Sequence, residues 1–331
     1  MKIIHQTTSF LRTVCFGLIY LLSCHVHAGS FPAHPINLVV GYAPGGPTDI
    51  LARQLATELG KTLGENILVI NKAGASANIA AAYVASAKPD GYTLLFGDLT
   101  LATNPSLMRD MPLNPLKDFK AVASVGVAPL VLVVNPAVPA NTLPELIAYA
   151  HANPDKLNNG TAGYGNLTHL AGEVLKRDES IKIQQIPYNG SGPMLTDLIG
   201  GQVSMGITGL SSTLGNIKDG RVRALAITGP RRSSLLPDVP TFSEALGKPM
   251  PELSLGSWWG VFASADTPDD IIQKLNTAIN AALHSPGLDE RLASTMNIEI
   301  DTGTPKYMDD RLKSESSTWA KVIRQAGIQA K

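Results

Sequence analysis

The feature that most constrains the fold is a regular alternation of short apolar runs with amphipathic helical segments after about residue 35. Residues 36–41 are predicted to form a strand, and residues 47–60 a helix in which Leu51, Leu55 and Leu59 share one face. Further strands are predicted at residues 67–70 and 92–96, with an alanine-rich helix at about 77–87 between them. This alternation is typical of parallel strands joined by helical crossovers, so the fold class is α/β.

Two apolar segments, residues 127–134 and 257–262, are candidate crossings between two lobes. A chain of 331 residues is long enough for about two domains. We therefore expect a first lobe of residues 29–134 and 256–331 and a second lobe of residues 135–255. Two hinge strands between them would permit closure around a ligand. The protein is expected to be a monomer.

The amino terminus has the pattern of a secretory signal. Lys2 and Arg12 form a basic region, residues 14–23 are mainly apolar, and small residues precede a cleavage point before Gly29. We therefore expect residues 1–28 to be removed and the mature protein to reside in the periplasm. The alternative is a buried amino-terminal helix.

Both cysteines, Cys15 and Cys24, lie within residues 1–28. Cleavage would leave no thiol for a disulfide, a nucleophile or a metal site. The sequence Leu-Leu-Ser-Cys ending at Cys24 leaves open a second processing route, in which Cys24 carries a lipid anchor.

The charge pattern argues against nucleic acid and membrane surfaces as partners. The chain has 27 basic and 27 acidic residues, and removal of Lys2 and Arg12 leaves a small acidic excess. It has neither a basic stripe nor a basic amphipathic helix.

Enzymatic and metal-binding patterns are also missing from the sequence. The four histidines after residue 28, namely His34, His151, His169 and His284, do not show metal-ligand spacing. The chain lacks a G-x-S-x-G elbow, a Walker loop and a helix-opening G-x-G-x-x-G. We therefore expect a protein that is not an enzyme and that holds no cofactor and no metal.

The loop at residues 41–49 is the sharpest candidate for a binding site. Its two glycines let the backbone approach a ligand, and a helix begins directly after them. Free backbone N–H groups and the positive end of the helix dipole can hold a carboxylate there. A plain strand-to-helix turn is the alternative, and Asp49 has the pattern of a structural cap. The candidate residues in this loop are Tyr42, Ala43, Gly45, Gly46, Pro47, Thr48 and Asp49.

A second glycine-rich turn, at residues 161–169, also precedes a helix. Two helix amino termini from different lobes, aimed at one cleft, would hold a dicarboxylate by its ends. Of the adjacent tryptophans at 258 and 259 only one is a plausible ligand contact, and we assign Trp258. The candidate residues in the second turn are Gly163, Tyr164, Gly165, Asn166, Leu167 and Thr168.

Several motifs together resemble a known family. They are Y-A-P-G-G-P-T-D-I-L-A-R at 42–53, K-P-D-G-Y-T-L-L at 88–95, T-H-L-A-G-E at 168–173, D-L-I-G-G-Q-V at 197–203 and L-P-D-V-P-T at 236–241. In this order they resemble the Bug family, the receptors of the tripartite tricarboxylate transporters. The resemblance spans nearly all of the chain after residue 28.

The resemblance implies a type II periplasmic binding fold, with two lobes that each have a central, mostly parallel sheet flanked by helices. It implies capture of a dicarboxylate or an aromatic acid by the two loops, partly through water. It also implies delivery to a membrane permease of one large and one small subunit. The alternatives are a sensory receptor that presents the acid to a membrane kinase and a periplasmic enzyme on the same fold.

The chain departs from the family pattern at positions that would contact the ligand. Tyr42 stands where phenylalanine is commoner, and Tyr164 and Asn166 replace an asparagine and a threonine. Thr208 stands where an aspartate is frequent, which predicts a ligand without an ammonium group. The added tyrosine hydroxyls either extend a hydrogen-bond network or stack on an aromatic acid. Three further residues complete the candidate site: Asn78, after the similar stretch V-I-N-K-A-G-A at 69–75, Tyr188, in I-P-Y at 186–188, and Thr208, in M-G-I-T-G at 205–209.

Overall fold

The computed structural model describes residues 31–108, 111, 113–188, 190–254 and 256–328. The expected signal segment 1–28, including Cys24, lies outside these residues. Pro35–Lys331 form one unit, which is described below, and Met1–His34 form another.

A six-stranded sheet contains the strands that begin and end the unit. Its order is β11-β4-β10-β3-β1-β2. β1 pairs in parallel with β2 and β3, whereas β10 is antiparallel to both β3 and β4. The strands are β1 (Ile36–Val40), β2 (Ile67–Asn71), β3 (Thr93–Asp98), β4 (Phe119–Ala128), β10 (Ser257–Ser264) and β11 (Glu299–Ile300).

The middle of the chain forms a second sheet of five strands in the order β7-β6-β8-β5-β9. β6 pairs in parallel with β7 and β8, and β5 is antiparallel to β8 and β9. The strands are β5 (Leu130–Val134), β6 (Asn158–Thr161), β7 (Gln184–Pro187), β8 (Met205–Gly209) and β9 (Arg223–Ile227).

Twelve α-helices of the described residues flank the sheets. They are α1 (Pro47–Leu63), α2 (Asn78–Ala85), α3 (Thr100–Leu107), α4 (Pro115–Asp118), α5 (Leu143–Ala152), α6 (Leu167–Asp178), α7 (Ser191–Ile199), α8 (Leu210–Lys218), α9 (Phe242–Leu246), α10 (Asp269–Leu283), α11 (Leu288–Arg291) and α12 (Pro305–Gln325). A π-helical turn, Leu292–Met296, follows α11.

The predicted α/β fold, with two sheets flanked by helices, is confirmed, and both sheets are mixed rather than mostly parallel. Strands linked by helical crossovers, such as β1 and β2, pair in parallel as predicted. The strands next to the crossings between the two sheets, β5 and β10, are antiparallel to their neighbours in the sheet. β10 returns from the second sheet and inserts between β3 and β4, so it is antiparallel to both.

The chain passes from one sheet to the other at Pro129, between β4 and β5. It returns just before Ser257, where β10 begins. The expected lobe boundaries remain a proposal. Leu130–Val134, which the prediction places in the first lobe, hydrogen-bonds to β8 and β9 in the second sheet.

The long helix α12 contacts elements of both halves. It packs on α3 and β4 beside the first sheet and on α6 beside the second. Trp319 of α12 is fully buried in the apolar core, and Gln325 accepts a hydrogen bond from Arg177 of α6 at 3.0 Å. Among the residues the structure describes, no helix has both the length and the apolar character needed to cross a bilayer.

Candidate functional site

The first loop lies between the carboxyl end of β1 and the amino terminus of α1. Gly46 is the N-cap of α1 and provides no side-chain cap, and Pro47 follows it in the first turn. Gly45 has a φ of +86°, which glycine adopts without strain. Ala43, Gly45 and Pro47 are exposed. The loop therefore presents a helix amino terminus to the surroundings, as the sequence predicted.

Asp49 holds this loop in shape from inside. Its carboxylate accepts hydrogen bonds from the Gly45 amide at 2.9 Å, from Arg53 Nε at 2.9 Å and from Asn71 Nδ2 at 2.8 Å. Burial alone would raise the pKa of Asp49, but the bonds from Arg53, Gly45 and Asn71 outweigh it and lower the pKa to about 2. Asp49 is therefore a structural cap with its oxygens engaged.

Thr48 connects the first loop to β10 through a hydrogen bond. Its hydroxyl oxygen accepts a hydrogen bond from the indole Nε1 of Trp259 in β10 at 3.1 Å. Both side chains are buried. The first turn of α1 is thus attached to the strand that returns from the second sheet.

Tyr42 belongs to a polar cluster that sequence reasoning missed. Its hydroxyl donates to Asp98 Oδ2 at 2.5 Å, and the backbone N–H and hydroxyl of Thr100 donate to Asp98 Oδ1 at 3.0 and 2.5 Å. Burial, and next the Asp98 carboxylate, raise the pKa of Tyr42 well above its usual value. Asp98 is the last residue of β3, beside β1, so both side chains stand at the carboxyl ends of neighbouring parallel strands.

Asn78 lies beside this cluster. The Asn104 amide of α3 donates to Asn78 Oδ1 at 3.1 Å and to the Ser76 carbonyl at 2.8 Å. Asn78 Nδ2 in turn lies 2.8 Å from Met108 Sδ. A cavity of about 10 Å³ is bordered by Tyr42 and Asp98 as well as by both asparagines. That is about the space one water molecule needs.

The second loop is closed by a cap of its own. Asn166 is the N-cap of α6, and its side-chain oxygen accepts from the His169 N–H at 3.2 Å and the Thr168 hydroxyl at 2.7 Å. Thr168 Oγ1 accepts from the Ala162 N–H at 2.9 Å, while the Gly163 carbonyl accepts from Thr161 Oγ1 at 3.0 Å. Leu167 is buried in the core.

His169 supports this loop from below. Its Nδ1 accepts a hydrogen bond from the Gly165 N–H at 3.2 Å, and its ring lies 4.4 Å from the ring of Tyr164. Burial lowers the pKa of His169, partly offset by Glu173, so the imidazole is neutral at pH 7 with its proton on Nε2. Tyr164 itself is 44% exposed and available to a ligand.

Helix α3 links the two loops. Beside the first sheet, Asn104 of this helix donates a hydrogen bond to Asn78. At its end Leu107 packs on Gly165, where an added Cβ would lie 2.4 Å from Leu107 Cδ1. One short helix, α3, therefore contacts both the surroundings of Tyr42 and the second loop.

Tyr188 and Thr208 occupy different positions in the second half. The Tyr188 hydroxyl donates to Asp197 of α7 at 2.8 Å, and burial together with Asp197 raises the pKa of Tyr188 to about 12. Thr208 on β8 is fully buried, and among the described residues its hydroxyl has no hydrogen-bond partner. Both hold polar groups near the carboxyl ends of β7 and β8, and the Tyr188 backbone N–H contacts the second loop by donating to the Thr161 carbonyl at 2.9 Å.

Trp258, proposed from the sequence as a ligand contact, is engaged by α12, whereas Trp259 reaches the first loop. Its indole Nε1 donates to the buried Glu315 of α12 at 2.8 Å, and Glu315 also accepts from Arg311 at 3.0 Å. Arg311 and Glu315 border a separate cavity of about 970 Å³ near Pro129. Side chains alternate between the two faces of a strand, so Trp259 rather than Trp258 reaches the first loop.

The candidate site therefore offers backbone N–H groups, hydroxyls and one carboxylate. Within the described part of the chain, no three histidine, cysteine, aspartate or glutamate side chains come together as a metal site. A two-lobed α/β fold with glycine-containing loops at strand ends defines a solute-binding protein of the periplasmic type.

Comparison with known proteins identifies the family. Residues 51–328 match the model of the tripartite tricarboxylate transporter family receptor, TctC, and the chain belongs to this family. It is 38% identical to protein BugT of Bordetella pertussis over 312 residues, which cover 94% of both chains.

Two solved structures are similar throughout. An R. palustris protein solved with adipate shares 35% identity and a TM-score of 0.81, over 90% of this chain and 99% of that one. MatC of Rhodopseudomonas palustris with bound malate shares 33% identity and a TM-score of 0.78, over 88% of this chain and 100% of that one. The two-lobe fold and the binding of small carboxylates are thus properties of the family.

Proposed function

We propose that this protein is a periplasmic receptor that captures a small carboxylate between its two lobes and delivers it to a tripartite tricarboxylate-type permease. Adipate and malate in the two similar structures support a dicarboxylate. An aromatic acid is the second ligand class, favoured by the exposed Tyr164 ring.

The observation that carries the proposal is the first turn of α1. Gly46 places no side chain over the helix amino terminus, and Asp49 turns its carboxylate inward to Gly45, Arg53 and Asn71. The N–H groups of the first turn are therefore left open to an outside anion, and Arg53 offsets the charge of Asp49 beside them. The second loop, with Asn166 as cap of α6, would hold the other end of the ligand.

Ala43 allows a direct test, because it is an exposed loop residue beside this helix end. Ala43→Glu adds a negative charge, and Ala43→Gln adds a neutral side chain of the same shape. We expect the glutamate variant to bind at least about fivefold more weakly than the glutamine variant, since a like charge near the site costs roughly 1 kcal/mol or more. Calorimetry with succinate, L-malate, adipate, benzoate and L-aspartate measures this.

Three results would argue against the proposal. The first is no binding of any of the five acids by the unmodified chain. The second is equal affinity of the two Ala43 variants, which would separate the ligand from the α1 terminus. The third is tight binding of L-aspartate alone, which would contradict a ligand without an ammonium group.

A further inference from the structure

We infer that Tyr42 and Asp98 form a hydrogen-bond acceptor subsite that selects a carboxylate carrying a hydroxyl group. The inference rests on the proposed function, because it concerns the chemistry of the ligand held in the same site. Of these two side chains, the sequence predicts only Tyr42 as part of the site.

The proton count in this cluster is complete. A phenol has one proton, and Tyr42 gives it to Asp98 Oδ2 at 2.5 Å. Thr100 gives its N–H to Asp98 Oδ1, and its hydroxyl, which donates to the same oxygen, also lies within hydrogen-bond range of Tyr42, so at most one lone pair of Tyr42 Oη is occupied. An ionised carboxylate only accepts. Tyr42 Oη and Asp98 therefore have lone pairs left for a ligand, and neither has a proton to donate.

The neighbouring amide does not change this balance. Asn104 uses its amide protons on the Ser76 carbonyl and on Asn78 Oδ1. The cavity bordered by Tyr42 and Asp98 has room for about one water and not for a carboxylate group. A ligand carboxylate is therefore attracted to the backbone N–H groups of the loop, and repelled by the acceptors next to them.

A ligand hydroxyl fits these acceptors. It can donate to Tyr42 Oη, which follows the carboxyl end of β1 and gives its own proton to Asp98 at the end of β3. Three donors already compensate the charge of Asp98, so a neutral hydroxyl is sufficient and an ammonium is not required. A ligand with a methylene there would leave the acceptors unpaired once closure excludes water.

The test compares acids that differ by one hydroxyl. Calorimetry is run with L-malate against succinate and with 4-hydroxybenzoate against benzoate, on the unmodified protein and on Tyr42→Phe. We expect the hydroxylated member of whichever pair binds to be about tenfold tighter, as one hydrogen bond to a paired site predicts. Tyr42→Phe should bring the ratio towards one, because the acceptor for the ligand hydroxyl is lost.

Tyr307→Phe is the matched control, because the Tyr307 hydroxyl also donates to a carboxylate, that of Asp301 at 2.9 Å. It should leave the ratio unchanged. Asp98→Asn is a second test. The asparagine amide can donate to Tyr42 Oη, so that the phenol proton becomes free for the ligand. The preference should then reverse towards the unhydroxylated acid.

The outcomes separate the two proposals. Binding of none of the acids overturns the proposed function and this inference together. Binding with equal affinity within a pair, or an unchanged ratio in Tyr42→Phe, overturns the acceptor subsite alone. An equal loss of ratio in Tyr307→Phe would also overturn it, because the effect would not belong to Tyr42.

Discussion

Leu107, the last residue of α3, packs against the backbone of Gly165 in the second loop, and a Cβ at Gly165 would lie 2.4 Å from Leu107 Cδ1. The contact joins a helix beside the first sheet to a loop beside the second. It requires glycine for a second reason, since Gly165 has a φ of +76°.

Gly165→Ala is therefore expected to weaken carboxylate binding and to lower the melting temperature. The left-handed backbone alone costs about 1 kcal/mol for alanine, and the clash with Leu107 adds to it. Leu107→Ala in the same chain removes the clash, so the double variant should recover part of the binding lost in Gly165→Ala. Calorimetry on the two single variants and the double variant measures the coupling. Strictly additive losses would show that Leu107 and Gly165 do not interact.

Removal of the hydroxyl of Thr48 should destabilise the protein. Thr48→Val keeps the shape of the side chain but leaves the buried indole N–H of Trp259 without its partner, at a cost of about 1–3 kcal/mol. Thr48→Ser keeps the acceptor and is the control. Urea unfolding of both variants is the measurement, and equal midpoints would contradict a role for this bond.

Asp49 should make the fold sensitive to strong acid. Its folded pKa of about 2 lies below the ordinary value of 3.8, so its contribution is present above pH 4 and is lost as the pH falls towards 2. Asp49→Asn should thus cost about 2 kcal/mol at pH 7 and progressively less below pH 4. Unfolding curves at several pH values test this. The exposed Asp270, changed to Asn, is the control and should show no such pH-dependent difference.

His169 should make the second loop sensitive to mild acid. Burial lowers its folded pKa below the usual 6.5, so the unfolded chain takes up the proton first and stability falls as the pH drops below about 6.5. A protonated imidazole also cannot accept from the Gly165 N–H.

His169→Asn retains an acceptor near the Nδ1 position without titrating in this range. We expect the unmodified chain to lose thermal stability and ligand affinity between pH 7 and pH 5, and His169→Asn to lose much less. Glu173 and Lys176, the charged neighbours of His169 on α6, are kept in both proteins. A decline of equal size in both would assign it to other groups.

The elements that follow local rules could be predicted from the sequence. The helix after Gly46, the structural role of Asp49 and the cap at Asn166 depend on residues within four positions of each other. The pairing of β10 between β3 and β4 could not be predicted in this way, because residues 129 or more positions apart form these ladders. The mixed sheets follow from that pairing.

The sequence did not predict some residues of the site for the same reason, because their partners lie far away along the chain. Asp98 lies 56 residues from Tyr42, and only its position at the end of a predicted strand could have drawn attention to it. Leu107 is an ordinary apolar residue, and nothing local indicates that it meets Gly165. The choice between Trp258 and Trp259 depends on which face of β10 meets α1, a relation that the local sequence does not contain.

The hydrogen bond between Trp259 and Thr48 makes Trp259 an intrinsic fluorescence probe of the first loop. All three tryptophans lie in buried positions, two of them next to each other in β10 and the third in α12. Only Trp259 is attached to the loop that we assign to the ligand. Intrinsic emission should therefore respond to occupancy without an attached dye, and Trp258→Phe and Trp319→Phe would isolate the signal of Trp259.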